Sequence, residues 1–173
     1  MNLSYNRWQK LFLFSLGLAA GAAFCMKWME SDFLVNDQKF SVLGLEIFYP
    51  KEKLSAIMVN LDGHVRNILR YHLNFDFAFM AGVYSGITAL CMMAKKKTKV
   101  ITLRKVLFLL AVLQLVAWGC DIAENTFLLT WIRNPAIGNG FLLYHLIVAA
   151  KWILALLGIF MAIPFAVRKS KLS

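Results

Sequence analysis

Apolar residues along this chain fall into long runs rather than into alternation. Four runs stand out, from about Leu11 to Trp28, Asn74 to Ala94, Val106 to Ile132 and Phe141 to Val167. A helix rises about 1.5 Å per residue, so about 20 apolar residues cross the ~30 Å hydrocarbon core of a bilayer. None of the runs shows the polar face at a 3.6-residue period that marks a helix on a soluble core. The pattern predicts an all-α polytopic membrane protein, a single domain over residues 1–173 built as a four-transmembrane-helix bundle.

The first and second runs are separated by a 44-residue loop, residues 30–73. Within it, Phe40 to Tyr49 is rich in Val, Ile and Phe, which predicts an extended segment. Pro50 is expected at the first position of a short helix, and Leu54, Ile57, Met58 and Leu61 follow at helical spacing. That helix is amphipathic, and it is expected on the outer leaflet or as a cap on the bundle. Asp62-Gly63 is a turn signal, and from His64 the pattern runs as one helix into the second span.

Composition agrees with the pattern. The chain is 60% hydrophobic and only 16% charged, which excludes disorder, a collagen-like fibre and a disulfide scaffold. Too few charges remain to cover a soluble enzyme. Cys25, Cys91 and Cys120 all lie within spans without paired spacing, and read as small buried hydrophobes.

The net charge of +10 would suggest nucleic acid in a soluble protein. Its location gives it another meaning. Eleven bases (Arg7, Lys10, Lys95, Lys96, Lys97, Lys99, Arg104, Lys105, Arg168, Lys169 and Lys171) flank the spans with no acid among them, whereas the long loop mixes both signs. The positive-inside rule then puts both termini and the Lys95–Lys105 connection in the cytoplasm, and makes the long loop extracytoplasmic. A bacterial cytoplasmic (inner) membrane protein is expected, with membrane lipids as partners and no nucleic acid. Arg7, Lys10, the apolar stretch Leu11 to Leu18 and Ala20-Gly21-Ala22 also fit a signal peptide. Apolar character continuing to Trp28 favours a retained helix. Gly17 with Gly21, and Gly82 with Gly86, form GxxxG motifs, which serve packing inside a bundle or the seam of a homodimer.

The candidate chemistry lies in the charges that the membrane disfavours. Asp76, Asp121, Glu124 and Lys151 fall inside the runs, with Asn125 beside them. Each ionisable group near the bilayer centre costs about 2.5–3.5 kcal/mol on insertion scales, so these groups must face one another or a wet cavity. Asp121, Glu124 and Asn125 stand at i, i+3 and i+4 on one helix face. Asp121 is expected about 16 Å, and Lys151 about 15 Å, below the outer end of the bundle, at a common depth. Asp76 lies near the outer start of the second span, where Arg66, Arg70 and His72 also arrive, and His145 enters the fourth span one turn in. Three acids and one base leave a charge of −2, which calls for Arg66 or Arg70, a proton or a bound cation.

These residues resemble a family of small, uncharacterised, four-span bacterial membrane proteins. The likeness covers about Tyr49 to Trp152. It includes Tyr49-Pro50, Arg66 ten residues before Asp76, Tyr84, the Asp121-x-x-Glu124-Asn125 motif and Lys151-Trp152. Met80 departs from it where proline is expected, which leaves a kink there in doubt. The resemblance implies the four-span fold and brings no activity with it.

Three functions are open on the sequence. In the first, the chain handles a lipid or small apolar ligand, as a binder or an enzyme. Asp121, Glu124, Lys151 and Asp76 would then be the catalytic set, and Asn125, Arg66, Arg70, Tyr144, His145 and Trp152 the ligand-binding set. Asp121 and Glu124 would divide acid and base roles, Lys151 and Arg66 would hold an oxyanion or phosphate, and Trp118 and Trp152 would pack on apolar parts. The second is proton- or cation-coupled transport by a homodimer. The third is a non-catalytic subunit or assembly factor of a larger membrane complex. The same charges also fit a purely structural clamp. No P-loop, dinucleotide fingerprint or hydrolase motif is present. His72, His145, Asp76 and Asp121 lack metal-ligand motif spacing, so no metal and no cofactor are expected.

Overall fold

The computed structural model describes residues 4–167, so Arg168, Lys169 and Lys171 of the basic set lie outside the described residues. Four helices are long and apolar enough to cross a membrane. They are α1 (Tyr5–Met29), α3 (Gly63–Lys97), α4 (Ile101–Arg133) and α5 (Gly140–Ala166). A shorter helix, α2 (Lys51–Val59), lies in the long loop.

Local chemistry sets the helix ends. Ser4 caps α1 by accepting from the Arg7 N–H. Asp62 caps α3, its Oδ1 accepting from the Val65 N–H at 2.8 Å, so the Asp62-Gly63 turn is also a helix start. Pro50 has extended backbone and is the cap of α2, one position before the predicted first helical residue; its carbonyl accepts from the Leu54 N–H.

The loop folds back as a lid on one end of the bundle. Leu54, Ile57 and Met58 of α2 are buried with Phe33, Phe40, Val42 and Leu45, against Val65, Leu69 and Leu73 of α3 and Trp131, Ile132, Tyr144 and Val148 of α4 and α5. Of the two placements expected for this helix, the structure has the cap. The extended expectation for Phe40 to Tyr49 is corrected. Extended pairing occurs earlier, in a hairpin of β1 (Leu34–Val35) and β2 (Gln38–Lys39). Its turn residues Asn36 and Asp37 both have positive φ, as a tight hairpin turn requires. Gly44–Phe48 is instead a π-helical turn, closed by the Tyr49 N–H donating to the Gly44 carbonyl at 2.8 Å. The Tyr49 ring lies where a Cβ on residue 44 would stand, so the wide turn needs glycine there. Helical spacing buries Val42 and Leu45, brings Glu46 toward the helices and leaves Ile47 and Phe48 outside.

Within the bundle α3 is central. It packs against α1, α4 and α5, and α4 packs against α5. Helix α1 rests chiefly on α3, where Gly82 permits close approach: a Cβ there would fall 2.7 Å from the Ala19 nitrogen and 2.8 Å from the Ser15 carbonyl oxygen. A Ser15–Ser85 hydroxyl hydrogen bond of 2.7 Å lies beside this contact. Gly17 and Gly21 meet nothing on their open side, so the two GxxxG motifs are not equivalent: only the α3 motif serves packing within the chain. Gly82→Ala is therefore expected to overpack α1 against α3 and cost about 1–3 kcal/mol. Gly17→Ala is expected to be neutral, as measured by thermal unfolding in detergent micelles; equal effects would contradict the asymmetry.

Candidate functional site

Helix α5 carries Lys151 into the bundle, and α4 presents Asp121 and Glu124 to it one turn apart. Lys151 Nζ lies 2.7 Å from Asp121 Oδ1 and 2.5 Å from Glu124 Oε2, with all three side chains less than a tenth exposed. The common depth expected from the helix rise is the depth at which they meet. A third carboxylate arrives from the loop: Glu46 on the π-helical turn lies 3.3 Å from Nζ.

Neutral hydrogen bonds between α3 and α4 close the arrangement. The Tyr84 hydroxyl donates to Asp121 Oδ2 at 2.8 Å. The Asn125 amide donates to Asp76 Oδ2 at 2.8 Å and to the Leu73 carbonyl at 3.3 Å. Asp121 thus takes one hydrogen bond from α3 and one from α5, while Asp76 has no cationic partner among the described residues. Glu124 is fully buried, with the Lys151 ammonium at Oε2 and no protein partner for Oε1.

These groups border a cavity of about 290 Å³. One end is lined by Glu46, His72, Asp76, Asp121 and Lys151, with the Lys27–Glu30 ion pair also on the lining. Tyr84 and, from the lid, Val42 and Leu43 also line the cavity; the remaining wall is apolar, formed by Ala23 and Met26 of α1, Phe79, Val83 and Ile87 of α3, and Trp152, Ala155, Leu156 and Ile159 of α5. A second, wholly apolar hollow shares Val83, Ile87 and Ile159 with it and continues along α1 and α3 past Leu16, Phe12 and Leu90. The two hollows adjoin at Val83, Ile87 and Ile159, between α1 and α5 and over α3.

Each predicted residue has a definite place. Asp76, Asp121, Lys151 and Trp152 line the cavity. Glu124 and Asn125 stand behind that lining and hold Lys151 and Asp76. The expected compensation by Arg66 or Arg70 is corrected. Arg66 donates to the Leu61 carbonyl at 3.1 Å, and Arg70 is exposed. The ten residues from Arg66 to Asp76 extend about 15 Å along one helix, beyond side-chain reach. Tyr144 is also displaced from its expected role. Its hydroxyl donates to the Leu45 carbonyl at 3.2 Å and its ring packs on Trp131 and Phe127, so it anchors the lid. His145 stacks on Phe141 and lies with Glu46 and Trp152 around a separate hollow on the other side of Glu46. Trp118 packs beside Met80 and Tyr84 rather than along the cavity. Among the described residues no group of three or more His, Cys, Asp or Glu is disposed to hold a metal ion.

Sequence reasoning missed Glu46 and Tyr84 as site residues. The signal for Tyr84 was a hydroxyl inside an apolar run, two turns past Asp76. Glu46 gave no signal, because an acid in a loop is ordinary and only the π-helical turn aims it inward. Its arrival changes the charge count to four carboxyls against one ammonium. Burial pushes the Glu46 carboxyl above its ordinary value of 4.5; Lys151 opposes the shift and Asp121 reinforces it.

Two outcomes follow from this geometry. Lys151→Met strands three carboxylates and is expected to cost about 3–5 kcal/mol of stability in detergent, with part recovered when Glu124→Gln is added. An unchanged unfolding temperature in Lys151→Met would contradict the ion cluster. Glu46 binds its proton more tightly in the folded chain than in the unfolded one. Its contribution is therefore fully present below its ordinary value and is lost as pH rises through the raised folded value. Unfolding temperature is expected to fall across that interval, and Glu46→Gln is expected to flatten the fall.

Compared with protein-family models, curated proteins and solved structures, the chain matches none.

Proposed function

We propose that this chain is an integral membrane protein that binds a membrane amphiphile in the groove between α1 and α5, head at the Lys151 cluster and chain along α3. One observation carries the reading: a single cavity has ionisable groups at one end and an apolar wall along the rest, and it continues into a wholly apolar hollow. An amphiphile divides in the same way. Burying its chain in such a groove contributes about 0.8 kcal/mol per methylene, while the head meets polar groups that the bilayer interior lacks.

The arrangement also supports acid–base work on a bound head group. Asp121 lines the cavity and is held by Tyr84 and Lys151, so its carboxylate is oriented before any ligand arrives. Glu124 acts behind it as a positioning residue. The basic residues at the opposite end of the bundle support an orientation with both termini and the Lys95–Lys105 connection cytoplasmic. The lid and the polar end of the groove then lie in the extracytoplasmic half of a bacterial inner membrane.

A second reading is a structural clamp, favoured by the direct contacts of Lys151 with Asp121, Glu124 and Glu46. The two make different demands on the groove. A neutral alkyl-diazirine lipid probe, photoactivated in phosphatidylcholine nanodiscs, is expected to label Val83 and Ile87 of α3 at least as strongly as the outward-facing Leu115 of α4. Val83→Trp is expected to reduce labelling at Ile87 several-fold while leaving Leu115 unchanged. Labelling confined to outward positions such as Leu115 would overturn amphiphile binding and leave the clamp.

A further inference from the structure

The charges around the polar end of the groove are not balanced by the protein. Among the described residues Lys151 is the only cation in contact with the cluster, and three carboxylates already share it. Lys27, the other cation on the lining, is paired with Glu30. Asp76 faces the cavity with only a neutral amide as its partner. Glu46 is the most distant of the three carboxylates from Nζ, at 3.3 Å. Beside them stands His72, only 2% exposed, its ring tilted against Phe33 and lining the same cavity. Its Nδ1 has no protein partner. A buried polar atom without a partner costs about 1–3 kcal/mol unless water or a ligand supplies one.

We infer that the amphiphile is a long-chain primary amine, its ammonium seated between Asp76, Glu46 and His72 and its alkyl chain running along Phe79, Val83 and Ile87. The inference rests on the amphiphile reading and names the class of its head group. An ammonium has three N–H donors and one positive charge. The lining offers Asp76, which has only a neutral amide as partner, and Glu46, the carboxylate farthest from Lys151 Nζ, with the His72 ring beside them. A phosphate head would be repelled by the same carboxylates, and the one cation it would seek is already surrounded. Arg66, the other expected phosphate ligand, is engaged at the Leu61 carbonyl. A metal ion suits the site less well, because the carboxylates converge on Lys151 Nζ rather than on an open position.

The groove also suits a single chain. From Asp76, at the head, to Leu90 the floor of α3 extends about 21 Å, room for roughly sixteen methylenes laid along it. Its side between α1 and α5 lets a chain enter from the bilayer without the head crossing the hydrocarbon core.

The test compares three heads on one chain. Hexadecylamine, hexadecanol and hexadecyl phosphate compete with the neutral photoactivatable lipid for Val83 and Ile87, using the full chain in phosphatidylcholine nanodiscs at neutral pH. The amine is expected to displace the probe at a mole fraction at least tenfold lower than hexadecanol, with the phosphate weakest. Asp76→Asn and Glu46→Gln, each isosteric, are expected to reduce that preference at least threefold. Equal displacement by amine and alcohol, or preference for the phosphate, would overturn the cationic head while leaving amphiphile binding intact. Failure of the neutral probe to label the groove at all would overturn both. The head-group comparison needs only the unaltered chain, so a variant that does not fold leaves it decisive.

Discussion

One buried ammonium organises this bundle. Lys151 on α5 is held by Asp121 and Glu124 on α4 and by Glu46 on the lid. Removing an ammonium or a carboxylate from water costs several kcal/mol, so none of these groups is stable in an apolar setting without the others. Their meeting fixes the depth of α5 against α4 and holds the π-helical turn over the helix ends. Helix α3 is tied to the same point by neutral donors, through Tyr84 on Asp121 and Asn125 on Asp76. The contacts join segments far apart in sequence into one register, in a medium where apolar packing alone specifies register weakly.

That arrangement leaves a place for function. A clamp needs opposite charges in contact, and Lys151, Asp121 and Glu124 supply them. It does not need Asp76 on a cavity wall without a cation, His72 buried with an unpartnered nitrogen, or an apolar groove leading away from both. Gly82 lets α1 settle on α3, and the groove lies between α1 and α5. The cluster that holds the helices and the proposed ligand site therefore share Lys151, Asp121 and Glu46.

The spans were legible because length and hydropathy determine them directly, and the meeting of Asp121 with Lys151 because helix rise converts sequence number into depth. The i, i+3 spacing likewise put Glu124 on the same side as Asp121. What was not legible came from the loop and from side-chain reach. Phe40 to Tyr49 has strand-like composition, yet Gly44 admits a wide turn in which the Tyr49 ring fills the space of a side chain at residue 44. Glu46 enters the cluster through that turn. Arg66 and Arg70 sit on the same helix as Asp76, but the helix holds Arg66 ten residues away and turns Arg70 outward, and charge counting carries neither distance nor direction. Tyr144 shared the face of Lys151 by spacing, and its hydroxyl was taken by a loop carbonyl that no periodicity reveals.

The central claim is that the groove between α1 and α5 is an amphiphile site whose polar end is the Asp76–Lys151 cluster. The most direct test is an experimental structure of the full chain in nanodiscs formed from its own membrane. The expected result is continuous elongated density from Asp76 along Val83 and Ile87, with α1 and α5 apart. An α5 closed against α1, with no density along that path, would contradict the account.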